Sequence, residues 1–468
     1  MRHRALLLCA IALILLPLIA GCDTSGLPQS TNSTPTPVVQ AQPTATDVAI
    51  SDPNPTATKS NKPSATKTPS TKPTSVAGSD NTPVASGTIS PEKLAVLAQV
   101  EKDAADFRGL KPLADVPETF LTEDELRANL TQEMKTDYPR DEATQDAKEL
   151  WLMRLSDDPN LDLYQLYIDL QTEQVLGYYD QIKKALFVRN DGDALTPSAR
   201  QTLAHEFVHA LQDQHFDLEK MLPSDTTDDD GSLAIRSLVE GDATVSGLLY
   251  AQTYMSESDY QSVINDSSNA NTSVLDAAPR YIKDNLYFPY DQGVQFVIAL
   301  GILNGFDPIN KALTQPPAST EQIMHPEKYL KDMPQPAPLV PLTNTLGAGW
   351  THGDNGTIGE FDLKIILDEN GATDAEGAAA GWGGGVYEYY SNGDNALHMI
   401  NTVWDTARDA DEFEDGINET FSSDKKDGII IKDADGKRFY SVKRIGKQIT
   451  VGASTDQAAL QRAMDAIK

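Results

Sequence analysis

The sequence predicts an α+β protein whose folded body is residues 91–468, and three observations predict it. Residues 91–172 carry apolar positions at helical spacing, residues 173–188 alternate as a β-hairpin, and residues 340–468 mix strand-length apolar runs with helices. Residues 23–90 have a different composition. Of these 68 residues, 35 are Ser, Thr or Pro and none is aromatic. Such a segment cannot bury enough apolar surface to offset chain entropy, so it is expected to be a disordered tether. Its root-mean-square reach as a coil is ~45 Å.

The 468 residues hold 38 Lys and Arg against 69 Asp and Glu, for a net charge of −31. Residues 1–22 contribute only Arg2 and Arg4, and the four Asp and four Lys of 23–90 cancel, so the body carries −33. A body this acidic is repelled by phosphate backbones, which excludes a nucleic-acid binder, and it fits an anionic bilayer surface poorly. Attachment to a membrane must therefore come from the N-terminus. There, Arg2 and Arg4 precede the apolar run Ala5–Ala20, which ends in Ile19-Ala20-Gly21-Cys22. A basic start, a short apolar run and small residues before a cut site make a secretory signal.

Cysteine directly after Ala-Gly resembles the lipobox of bacterial lipoproteins. The resemblance implies a signal peptide over 1–21, a lipid on Cys22, and a tether over 22–90 that holds the body at the extracytoplasmic face of the membrane. Cys9 is then discarded with the signal. Cys9 and Cys22 are the only cysteines, so the body has neither a disulfide framework nor a cysteine metal site.

Order is expected from Ser90-Pro91, an N-cap followed by proline at the first helical position. Leu94, Val96, Leu97, Val100 and Ala104 continue that helix, and further helices are expected over 122–135, 141–154 and 160–172. Glu173–Asp180 and Ala185–Val188 form the hairpin, and its strand around Gly177–Tyr179 is a candidate edge for pairing with an extended peptide. Thr196-Pro197 opens a helix reaching about Gln214. After a polar loop, in which Asp228-Asp229-Asp230 is read as a solvated N-cap rather than a calcium loop, a helix is expected over 232–255. Another is expected to open at Tyr290.

Beyond residue 340, helices are expected near 357–369, 408–421 and 455–467. Strands are expected near 386–391, 397–404, 428–432, 438–444 and 447–452, with Asp435-Gly436 as a hairpin turn. Gly381–Gly385 lacks the residues of a phosphate loop and is read as a turn before a strand. The body therefore divides into 91–335, which holds the chemistry, and an α+β subdomain over 336–468.

The chemistry lies in His205-Glu206-Phe207-Val208-His209, inside the 197–214 helix. Residues i and i+4 share a helical face, so both imidazoles can grip one ion while Glu206 stands over an activated water. Neutral imidazole suits Zn²⁺, and three protein ligands leave one position open. Two residues compete to be the third. His215 completes a His-x3-His-x5-His spacing like that of the metzincin peptidases, whose motif places Gly where this chain has Gln212. A continued helix turns about 1000° over the ten residues from His205, which carries His215 off the shared face. The other candidate is Glu240, on the next helix.

The stretch His205–Asp213, with Glu240-Gly241-Asp242-Ala243 after it, resembles the gluzincins, the thermolysin-like zinc peptidases. The resemblance implies a zincin-like core of sheet, active-site helix and glutamate helix, with one Zn²⁺ on His205, His209 and Glu240 and Glu206 as general base. It further implies a supporting role for Asp213 and an oxyanion donor after the glutamate, for which Tyr290 is the first candidate and His325 the second. Thr244 stands where that family has an acid backing the first histidine, and Asp242 is the candidate to replace it. The expected function is a membrane-tethered, extracytoplasmic peptidase that hydrolyses peptide bonds with a zinc-activated water. The alternatives are a catalytically degenerate zincin-fold lipoprotein that binds or scaffolds, and a metzincin-like peptidase using His215.

Overall fold

The computed structural model describes residues 89–467 except 190, 191, 193, 224, 225, 339, 422–430, 434 and 435. The signal peptide, Cys22, all but the last two residues of the tether, and Asp435 lie outside the described residues. No helix among the described residues is long and apolar enough to cross a membrane.

The body opens with α1 (Pro91–Arg108), β1 (Glu118–Leu121), α2 (Glu123–Asp137), α3 (Arg140–Leu152) and α4 (Leu163–Gln174). Then come the hairpin β2 (Gly177–Asp180) and β3 (Ala185–Arg189), α5 (Pro197–Phe216), α6 (Asp229–Tyr254), α7 (Glu257–Ser268), α8 (Arg280–Leu300) and α9 (Asp307–Thr314). The C-terminal part runs β4 (Thr351–Thr357), α10 (Glu360–Glu369), β5 (Trp382–Asn392), β6 (Asn395–Trp404), α11 (Ala407–Thr420), β7 (Ile431–Lys432), β8 (Phe439–Ile445), β9 (Gln448–Ser454) and α12 (Gln457–Ala466). Helices and strands are thus both abundant and largely segregated, as an α+β protein requires.

Local sequence explains the ends of the helices that matter for the site. Ser90 caps α1 by accepting from Lys93 N, and Gly109 closes it in the left-handed conformation at φ +73°. Thr196 caps α5 by accepting from Ala199 N, with Pro197 at the first position. Asp228 caps α6 by accepting from Gly231 N, as expected, but Asp229 and Asp230 are buried rather than solvated, held by the Tyr387 hydroxyl and by Thr320. In the three-stranded sheet β3 lies between β1, parallel to it, and β2, antiparallel to it. The larger sheet is antiparallel throughout, in the order β4-β5-β6-β9-β8-β7.

Several expectations shift. The helix expected to open at Tyr290 begins ten residues earlier, at Arg280, and carries Pro289 in its interior. Strand β4, Thr-His-Gly-Asp-Asn-Gly-Thr, has no β-branched alternation to betray it and forms because β5 offers it a ladder at the sheet edge. The expected division after residue 335 is no break in the core. One buried cluster joins Leu150, Leu233 and Phe296 to Ile366, Trp404 and Val451.

Candidate metal centre

Helices α6 and α8 cross in backbone contact. A Cβ on Gly241 would overlap the Gly293 carbonyl, and one on Gly293 would overlap the Ser237 carbonyl. This crossing places Tyr290, one turn before Gly293, beside the α6 segment that holds Glu240. On the other side α6 packs against α5, where a Cβ on Gly247 would come 3.4 Å from the His205 Cβ, an ordinary contact. Glycine is therefore required where α6 meets α8 and sets how near those two helices come.

His205, His209 and Glu240 meet there, all buried. The two Nε2 atoms are 3.0 Å apart, and Glu240 Oε2 lies 3.2 Å from His205 Nε2 and 3.4 Å from His209 Nε2. Ligands ~2.0–2.1 Å from a tetrahedral zinc ion are ~3.3–3.4 Å apart, so this donor set fits a first-row metal in type and spacing. Glu240 Oε2 is buried and makes no hydrogen bond of good geometry. That is a costly state for a carboxylate oxygen unless a cation satisfies it.

The electrostatics agree. Burial raises the Glu240 carboxyl, but the charge on His209 and the bonds to both imidazoles outweigh it and hold Glu240 well below its ordinary range. Burial lowers His209, yet the Glu240 charge carries it up to about 9. His205, with burial dominant, is lowered. The triad thus keeps its carboxylate ionised and holds positive charge against it.

Gln212 fixes the His209 tautomer. Its amide gives both protons away, to Val239 O (3.0 Å) and Asp242 Oδ2 (2.8 Å), so its oxygen must accept from His209 Nδ1 (2.8 Å). Once its Nε2 proton is given up, as metal binding requires, His209 presents that lone pair to the cluster. Asp242 is in turn held by Arg108 of α1, with contacts of 2.9 Å from Nε to Oδ1 and 2.9 Å from Nη2 to Oδ2, both side chains fully buried. Asp242 therefore supports the second histidine through an amide. The expectation had it substituting for the acid that backs the first.

Glu206 is tied to strand β2. Its Oε2 accepts from the Tyr179 amide at 2.8 Å, while Oε1 is buried without a hydrogen bond. Burial pushes this carboxyl up to about 8. Asp213 reaches the same strand: it accepts from the Tyr179 hydroxyl (2.7 Å), Lys184 and the Leu218 amide. Its support thus goes to the segment that holds Glu206, and none of these contacts is to a histidine. Strand β2 is an edge of its sheet, but the outward amide of Tyr179 is already taken by Glu206 and is closed to an incoming peptide.

Helix α5 runs unbroken past Gln212 to Phe216, which carries His215 to the surface, where its Nε2 bonds the Lys111 carbonyl at 2.8 Å. His215 lies outside the cluster. Tyr290 is buried with its ring centroid 6.5 Å from that of His205. Arg236, one turn before Glu240, exerts charge on both Glu240 and Tyr290. His325 pairs with Glu360 at 2.9 Å. The sequence reading missed Gln212, Arg108 and the Tyr179 amide. Only Gln212 carried a signal, since an amide three residues after a candidate ligand shares its helical face.

Residues 346–464 match the model of a domain of unknown function (DUF8575). No curated protein and no solved structure matches the chain. The matched segment covers the C-terminal part and excludes every residue of the centre just described.

Proposed function

We propose that the protein is a zinc-dependent peptidase with a zincin-like core formed by the β1–β3 sheet, α5 and α6, tethered by a lipid on Cys22 at the extracytoplasmic face of the membrane. The observation that carries this is the convergence of His205, His209 and Glu240 beside a buried, half-bonded Glu206. His205, His209 and Glu240 would hold one Zn²⁺, which supplies Lewis acidity toward a peptide carbonyl and toward water. Glu206 is the general base: Oε2 is pinned by Tyr179, and Oε1 takes a proton from water and passes it to the departing amine. Tyr290, whose ring centroid is 6.5 Å from that of His205, is the candidate donor to the developing oxyanion. Support for this reading comes from the Gln212–Asp242–Arg108 chain, which orients His209, although it does not replace the acid that Thr244 displaces behind His205. The reading therefore favours an enzyme over a scaffold.

The test uses the full chain, zinc content by mass spectrometry and cleavage of a mixed peptide library. Glu206→Gln is expected to keep one zinc and lose hydrolysis, whereas Glu240→Ala is expected to lose the zinc and His215→Ala to keep it. Zinc retained with no cleavage by the unaltered protein would turn the reading to a scaffold. Unchanged activity in Glu206→Gln would end the peptidase reading. For the anchor, Cys22→Ser is expected to release the protein into the soluble fraction.

A further inference from the structure

A second set of buried donors lies outside the centre above. Asp146 and Glu149 stand three residues apart on α3, and Asp354 comes from β4; one oxygen of each lies within 4.8 Å of the others, and all three are buried. Neutral donors reach into the group. The Tyr138 hydroxyl donates to Asp146 Oδ2 (2.8 Å) and the Gln145 amide to Glu149 Oε1 (3.0 Å). The Tyr387 hydroxyl is 3.0 Å from Asp229 Oδ2 and 3.3 Å from Asp354 Oδ2. Asp229, the first residue of α6, is thereby drawn to the edge of the group, and Gly356 makes room for it, since a Cβ there would overlap Asp229 Oδ2.

Two further observations point to a ligand. Asp146 is 6 % exposed, and its Oδ1 is buried with no hydrogen-bond partner. His398 on β6 is 1 % exposed and makes a hydrogen bond at neither nitrogen, with its Nε2 3.4 Å from Glu149 Oε2. Its ring lies against Tyr387, with centroids 5.5 Å apart. Three carboxyl groups this close and this buried cost free energy that either protons or a cation must offset.

We propose that Asp146, Glu149 and Asp354 form a second metal site, which binds one divalent cation of the hard, oxygen-seeking class, calcium foremost, with His398 at its margin. Carboxylate oxygens on a shared site select Ca²⁺, Mg²⁺ or Mn²⁺ over the softer metals that imidazole pairs prefer, and Ca²⁺ tolerates an irregular, carboxylate-rich shell better than Mg²⁺. The location gives the ion a purpose. It joins α3 to strands β4 and β6, next to the N-terminus of the helix that bears Glu240. Asp354, Tyr387 and His398 lie inside the segment that matches the uncharacterised domain, whereas Asp146 and Glu149 lie outside it. The ion would therefore staple that segment to the rest of the body.

The inference does not depend on the zinc reading, and its test separates the two. The full chain is stripped of metal with a chelator, given one equivalent of zinc, and titrated with Ca²⁺, Mg²⁺ and Mn²⁺ by calorimetry and by thermal melting near neutral pH. One equivalent of Ca²⁺ is expected to bind and to raise the melting temperature. Asp146→Asn with Asp354→Asn, or the isosteric Glu149→Gln, is expected to abolish that binding while zinc content is unchanged. His209→Ala is expected to do the reverse. Should those variants fail to fold, the unaltered protein still decides the matter: terbium added in place of calcium should show emission excited through Tyr387 and Tyr138 and quenched by excess Ca²⁺. Binding of none of the three cations, binding undiminished in variants that fold, or absence of tyrosine-excited terbium emission would overturn the proposal and leave the carboxyl groups held by protons.

Discussion

The crossing of α5, α6 and α8 and the antiparallel C-terminal sheet are both buried, yet they are held together differently. In the sheet, Tyr387, Ile400, Trp404 and Val451 fill the interior, and register comes from long ladders such as β5 with β6. At the helix crossing the buried side chains include His205, Glu206, His209, Gln212, Glu240 and Asp242, with Gly241 and Gly293 where backbones touch. Apolar packing tolerates a lost methylene at a graded cost, whereas a hydrogen-bonded polar chain fails when any link is removed. The crossing is therefore the part of the molecule where small changes should reach the chemistry.

The sharpest way to break this comparison is to damage both regions to a similar degree. Arg108→Met leaves Asp242 buried and unpaired, and is expected to destabilise the protein by about 3–5 kcal/mol in denaturant titration. Ile400→Ala is expected to cost about 2–5 kcal/mol in the sheet. Zinc content per folded molecule should fall only in Arg108→Met; an equal fall in both would erase the distinction. Gly241→Ala pushes α6 from α8, with an expected cost of about 1–3 kcal/mol and a weaker metal centre. Gln212→Leu frees the His209 ring and leaves Val239 O and Asp242 short of a donor, so zinc affinity by competition with a chelator should drop about 10–100-fold, with a stability loss of about 1–3 kcal/mol.

The smallest effect lies at the periphery. The hydrogen bond to Glu360 raises His325 above 6.5, against an opposing effect of burial. Its stabilisation is fully present below about 6.5 and is lost as pH rises through the raised value. The gap in stability between the unaltered protein and His325→Gln, under about 1 kcal/mol, should therefore close toward alkaline pH. A gap that widens instead would show that the pair is not ionic.

Much of the sheet, and the meeting of His205, His209 and Glu240, was legible in the sequence. Alternation revealed β5, β6, β8 and β9, and the four-residue spacing of His205 and His209 together with Thr196-Pro197 revealed α5. What was not legible depends on tertiary partners. Arg108 lies 134 residues from Asp242, and no local pattern links them. Tyr179 acts through its backbone amide, which any residue but proline provides. The helix expected to open at Tyr290 starts at Arg280 instead, because packing of α8 on α6 carries it straight through Pro289. Strand β4 is polar because it lies at an edge, where an alternating apolar face is not demanded.

Helix α1 is where the described chain begins, and its last residue is Arg108. A protease cut in the exposed stretch at Lys111–Asp115 that let α1 drift away would strip Asp242 of its counter-ion and loosen the grip on His209. Loss of α1 is thus expected to weaken the candidate centre rather than free it. A shortened form that keeps this ion pair has to retain Ser90, the cap of α1.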